Sequence, residues 1–335
     1  VTSEADRAEL ESLRSEWREA LLAAREALSA EEDVLEADEL ELHERHLRGE
    51  YKSAAEELRQ FALDEGLPTE LAEPFLPRGL ARRAIGVPAG VRSCVFELDD
   101  VLVGSAGLHR EAWTRTLNEL LARRPDTSYG RLVAPFEPQT DYPRHIAGRT
   151  RLEGVRAFLA SRGIRLPEGE PDDPPGAETV HGVANRKHEW LGLLLEQRGI
   201  GAFDGVRLYL ERARDAGVSC AVVSASAHTD EMLELSGLAG LVDGSVDAET
   251  IAAEHLRTRP APDRLLAACR KLRVEPARAA VFETSEAGVA AARAAGFALV
   301  VGVDPAGDPD RLRRLRHAGA DVAVRGLAGM LERAA

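Results

Sequence analysis

Two acids, Glu97 and Asp99, follow the apolar run Ser93–Phe96 in the stretch Phe96-Glu97-Leu98-Asp99-Asp100-Val101-Leu102. Residues two apart in extended backbone point the same way. That spacing suits one carboxylate attacking phosphorus while the second moves a proton. Paired carboxylates also offer the hard oxygens that Mg²⁺ takes. Acids end many strands, so the pair by itself is equally a structural feature. A second apolar run ends in Ser224-Ala225-Ser226, just before a helical pattern. Hydroxyls beside free helical N–H groups form an anion site, and the same serines read equally as a plain N-cap. Farther on, Arg259-Pro260-Ala261-Pro262-Asp263 sets a cation before a helix. Phe282-Glu283-Thr284 closes another run, and Ser285, Ala287 and Gly288 open the next helix. The four sites offer acid, hydroxyl, cation and acid in chain order.

Positioning them requires a frame. From Val91 onward, apolar runs alternate with helical patterns. Strands are predicted at Ser93–Phe96, Ser219–Ser224, Ala279–Phe282, Phe297–Val303 and Asp321–Val324, with helices near 107–123, 228–236, 262–273, 286–295 and 309–317. Such alternation predicts an α/β domain, a Rossmann-like parallel sheet covered on both faces. Ligands on these sheets gather at the carboxyl ends of the strands. Residues 109–205 interrupt the alternation with helical, strand-poor sequence, including the proline-rich acidic loop Pro167 to Pro175, as an inserted cap would. The core is then 89–108 with 206–335.

Residues 1–88 read differently. Leu10, Leu13, Trp17, Leu21, Ala24 and Leu28 form one apolar stripe at helical spacing. Ser29 and Glu32 look like a capping box that opens a second helix. Its stripe runs through Leu40, Leu47, Tyr51, Ala54, Leu58 and Phe61. The expectation is a helical hairpin whose stripes pack on the α/β domain, with self-association or a protein partner as the alternative. His43 and His46, beside Glu39, Glu41 and Glu44, read as a solvated acidic face. A short helix is expected near Leu80 to Ile85.

A net charge of −14 over 335 residues, with no Lys/Arg-rich run, argues against nucleic acid and anionic membrane surfaces as partners. The apolar runs are too short to span a bilayer. No basic-then-apolar leader opens the sequence. The three cysteines, Cys94, Cys220 and Cys269, fit no zinc spacing and suit a reducing compartment. A cytoplasmic location is expected. Lysine is scarce, with only Lys52, Lys187 and Lys271.

The ordered strand-end set, with His109 and Trp113 downstream and Pro260-Ala261-Pro262-Asp263, resembles the haloacid dehalogenase superfamily in its β-phosphoglucomutase-like branch, over roughly residues 91–330. The resemblance implies a helical cap, Mg²⁺ and a phosphorylated small molecule such as a sugar phosphate. It makes Asp99 the general acid/base and a metal ligand, Ser224 the phosphate-binding hydroxyl and Glu283 a metal-site acid. His109, Trp113, Arg151 and Ser226 become substrate-binding, Arg151 gripping a non-reacting phosphate. Glu97 falls where that family has its aspartate nucleophile and a metal ligand. Arg259 replaces a catalytic lysine, Thr284 a metal-binding aspartate and Asp100 a turn glycine. His188 and His228 stand where asparagine is usual.

The extra methylene of Glu97 shifts its oxygens by ~1 Å, a misplacement that can cost ~100-fold in rate. Thr284 removes a charge from the metal shell, so Mg²⁺ is expected to be weak or absent. Two functions follow. One is a ligand-binding or regulatory relative that keeps the phosphate pocket and has lost most phosphoryl transfer. The other is an active Mg²⁺-dependent phosphatase or phosphomutase that uses Glu97 as nucleophile.

Overall fold

The structure, a computed structural model, describes residues 82–124 and 134–334. The predicted N-terminal hairpin, with His43 and His46, lies outside the described residues. Of the short helix expected near residue 80, residues 82–84 are described and helical.

The described chain runs β1 (Ser93–Glu97), α1 (Ala106–Ala122), a π-helical turn (Tyr142–Ile146), α2 (Arg151–Ser161) and α3 (Val180–Arg198). It continues through α4 (Val206–Asp215), β2 (Ser219–Val223), α5 (Thr229–Leu235), β3 (Gly244–Val246), α6 (Ala248–Ala253) and α7 (Asp263–Leu272). Then come β4 (Ala279–Glu283), α8 (Glu286–Ala294), β5 (Leu299–Val303), α9 (Pro309–His317), β6 (Val322–Val324) and α10 (Leu327–Ala334).

Five strands coincide with the predicted apolar runs. The sixth, β3, is only Gly244-Ser245-Val246 and carries too little apolar signal to be read from sequence. β5 starts at Leu299 instead of Phe297, because the Phe297 N–H is still bonded to Ala292 O at the end of α8.

All neighbouring strands pair in parallel, in the order β3-β2-β1-β4-β5-β6. The chain fills one side of β1 with β2 and β3, then crosses to fill the other side with β4, β5 and β6. Such a reversal opens a crevice at the carboxyl ends of the central strands. Side chains alternate faces along β1. Val95 joins Val281, Val300, Leu265, Ala268 and Val289 in one apolar layer. Phe96 points the other way, stacked on Phe282 at 4.6 Å with Tyr209 of α4 edge-on at 6.1 Å. The sheet is therefore covered on both faces, as predicted.

The inserted helices pack on one another, α1 and α2 both against α3. They bury an apolar cluster of their own that includes Trp113, Leu117, Phe136, Phe158 and Val183. α2 opens with a capping box in which Thr150 Oγ1 accepts from Glu153 N, and Glu153 Oε2 accepts from Thr150 N at 2.9 Å. That cap fixes the start of α2, and with it the place of Arg151 in the helix's first turn. No described helix is long and apolar enough to cross a membrane.

Candidate active site

Phe96 and Phe282 are register partners in adjacent parallel strands, so the next residues, Glu97 and Glu283, end side by side. Both carboxylates are buried, with side chains 5% and 2% exposed. Two such charges need a cation between them. Arg259, from the connection between β3 and β4, supplies it. Its Nη2 pairs with Glu97 Oε2 and lies 2.7 Å from Glu283 Oε1, while its Nε donates to the same Glu283 oxygen at 3.1 Å. Glu283 Oε2 accepts from Thr284 N at 3.1 Å. A Cβ at Gly288 would sit 2.3 Å from the Glu283 carboxylate, so that position in α8 needs glycine for close approach.

Asp99 stands nearer the opening. Ser105 Oγ donates to its Oδ1, and His109 Nε2 lies 3.6 Å from the same oxygen. His109 Nδ1 in turn faces the Lys187 ammonium at 3.0 Å. Burial, then the Lys187 charge, pulls the His109 pKa down to about 3, so its ring is neutral at physiological pH. Nδ1 then accepts from Lys187, which leaves the proton on Nε2, facing Asp99. Lys187 is itself buried in α3. Desolvation and the nearby Arg151 charge draw its pKa down to about 7. Trp113 sits beneath it, the ammonium 5.8 Å from the ring centroid. Arg151 donates to Ala184 O at 3.4 Å and faces the same space.

Glu97, Asp99, His109, Trp113, Arg151, Ser226, Arg259 and Thr284, all singled out in the sequence, line one cavity of about 640 Å³. Ser224 and Glu283 lie behind its wall. Ser224 is fully buried, and its Oγ accepts from Ser226 N at 3.1 Å. Ala225 and Ser226 line the cavity in its place. His188 and His228 stack on each other, centroids 4.1 Å apart, away from the lining. Asp100 takes the left-handed conformation, φ 62°, that a turn glycine would hold. Its carboxyl pKa is raised by burial first and then by the Asp99 charge.

Several lining residues were not singled out as site residues by the sequence, Lys187 and Arg264 among them. Lys187 shares a helical face with Val183, Ala184 and Leu191, and Arg264 follows Asp263 beside buried Leu265 and Ala268. A cation on an apolar helical face was the available signal. Among the described residues, no group of three or more His, Cys, Asp or Glu side chains is arranged to hold a metal.

The haloacid dehalogenase-like hydrolase profile matches residues 91–296, over half of the chain. The chain belongs to that family. Its place in the β-phosphoglucomutase-like branch rests on a Mycobacterium tuberculosis protein named beta-phosphoglucomutase, 46% identical over 249 residues, which cover 74% of this chain and 95% of the relative. The crystal structure of a Clostridium difficile β-phosphoglucomutase superposes with a TM-score of 0.55 at 18% identity, covering 72% of this chain and 98% of that one. Rhodobacter sphaeroides CbbY in complex with phosphate superposes with a TM-score of 0.53 at 23% identity, covering 72% and 99%. These two likenesses concern the fold. Within this family's fold, the cavity sits at the crevice between strand ends and helical insert.

Proposed function

We propose that this chain binds a phosphorylated sugar in the cavity and that its phosphoryl-transfer step is suppressed. The observation that carries this reading is the fork of Arg259, joined to both Glu97 and Glu283. A nucleophilic carboxylate needs an unshared oxygen lone pair aimed at phosphorus. Pairing with a guanidinium lowers the basicity of that carboxylate. Mg²⁺, when bound in such a site, neutralises the transferred group. Here Arg259 lies between the carboxylates that a cation would bridge, and Thr284 brings a neutral hydroxyl. This donor set does not fit a divalent ion.

The binding half of the reading rests on the chain's own cations. Arg151 and Lys187 meet in the insert at one end of the cavity, beside the ring of Trp113. Cations of this kind take an anionic group, and an indole face suits the apolar side of a sugar ring. The relative named beta-phosphoglucomutase supports a sugar phosphate as the ligand class.

A second reading has its own observation. Asp99 lies in the cavity lining, held by Ser105 and 3.6 Å from a neutral His109. It is placed to exchange a proton with a leaving or attacking oxygen. In this reading Glu97 attacks phosphorus, the leaving oxygen takes its proton from Asp99, and water releases phosphate. Phosphate release from a panel of sugar phosphates and p-nitrophenyl phosphate, with and without Mg²⁺ and beside Glu97→Ala, separates the two. The suppressed site predicts release no faster than the Glu97→Ala control. Turnover that Glu97→Ala abolishes would establish the active glutamate enzyme instead.

A further inference from the structure

Arg264 is the second residue of α7, on the face that packs toward the sheet with Leu265, Ala267 and Ala268. Only 3% of it is exposed, yet it lines the cavity. Its Nη1 is buried without a hydrogen-bond partner among the described residues. Burial and then the neighbouring Arg259 charge pull its pKa down to about 10, which leaves it a full cation at neutral pH.

The carboxylates whose fields reach it are engaged elsewhere. Glu283 is held by Arg259 and Thr284 N, and Asp99 receives the Ser105 hydroxyl. Glu153 caps α2 through Thr150 and accepts from Thr258 Oγ1 at 3.4 Å. A buried guanidinium left in this state is destabilising unless an anion completes it. Its planar fork matches the paired oxygens of a phosphoryl group.

We infer that Arg264 is the phosphoryl-binding guanidinium at the strand-end side of the cavity, the role that Arg259 gives up by bridging Glu97 and Glu283. The inference rests on the phosphate-binding reading of the cavity and names the residue that recognises the group there. It also divides the two arginines by task. Arg259 holds the protein's own carboxylates together, and Arg264 holds the ligand.

Calorimetric titration with inorganic phosphate and with glucose 1-phosphate, on the full chain and on Arg264→Met and Arg264→Lys, tests this. Arg264→Met keeps the length of the stem and removes the buried charge. Phosphate affinity should then fall at least tenfold, Arg264→Lys should recover part of it, and the ligand-free melting temperature of Arg264→Met should rise. Phosphate should raise the melting temperature of the wild type and leave that of Arg264→Met unchanged. Wild-type affinity in a folded Arg264→Met would overturn the inference and leave the cavity reading standing. Failure of the wild type to bind either probe at millimolar concentration would overturn both. If Arg264→Met fails to fold, the lysine variant decides, since affinity equal to wild type in Arg264→Lys would exclude a forked contact.

Discussion

The two ends of the cavity use their cations in opposite ways. At the strand ends, Arg259 is consumed inside the protein, its fork joined to the carboxylates of Glu97 and Glu283. On the insert side, among the described residues, Lys187 and Arg151 hydrogen-bond to neutral groups, a histidine nitrogen and a backbone carbonyl. In the first arrangement the cation is already engaged by the protein's own carboxylates. In the second, burial and then the Arg151 charge draw the Lys187 pKa down to about 7, and an anion would relieve that strain. Structural and binding charges are told apart by what satisfies them before the ligand comes.

The closed end can be broken directly. Arg259→Met leaves two buried carboxylates facing each other, and removing one partner of a buried ion pair costs about 3–5 kcal/mol. Urea unfolding at pH 7 should show a loss of that size, and a loss under 1 kcal/mol would mean that the bridge contributes little. The same end can be reopened. Glu97→Asp, Arg259→Lys and Thr284→Asp together shorten the carboxylate, release the fork and restore a charge. Mg²⁺-dependent phosphate release should rise by about 100-fold over wild type, the factor lost to a ~1 Å misplacement. No gain from the triple variant would show that the defect lies elsewhere in the site.

The open end is read through pH. Lys187 is a cation below its pKa of about 7 and neutral above it. Sugar-phosphate affinity should therefore weaken as pH rises from 7 to 8.5, by up to about tenfold per unit if only the ammonium form binds. Lys187→Met should bind more weakly at pH 6 and lose that slope, and a slope that survives the substitution would assign it to another group. The smallest effect concerns the turn between the ends. Asp100 holds φ 62°, a conformation that costs a non-glycine residue roughly 1–2 kcal/mol. Asp100→Gly should raise stability by about 1 kcal/mol in the same urea assay, and a loss of stability would show that the Asp100 carboxylate makes a net favourable contribution.

Much of the frame was legible because its signals are local. β1, β2, β4, β5 and β6 each bring several consecutive apolar residues, and α9 begins with Pro309 at the start of a clean helical pattern. β3 escaped because three residues, two of them Gly and Ser, carry no period. Glu97, Asp99 and Thr284 stand out by type after strands and Arg259 before a helix, and all four line the cavity. Ser224 was equally conspicuous, yet the turn that follows β2 folds the Ser226 N–H onto its oxygen and brings Ser226 to the lining. Lys187 and Arg264 were hidden because they lie inside helices whose apolar faces suggested ordinary core.

By itself the sequence determined the elements, the parallel alternation, the inserted helical segment and the family, because period and motif spacing are properties of neighbours along the chain. It also showed that the acid at the end of the first strand is a glutamate and that the cation before α7 is an arginine. Only the tertiary structure decided how those charges are partnered. Arg259 meets Glu97 across a separation of 162 positions because β1 and β4 are adjacent and the β3–β4 connection carries Arg259 to their carboxyl ends. Arg264 Nη1 is left without a hydrogen-bond partner among the described residues. Charge pairing in a buried site depends on which side chains the packing brings within a few ångströms, and chain spacing carries no record of that distance.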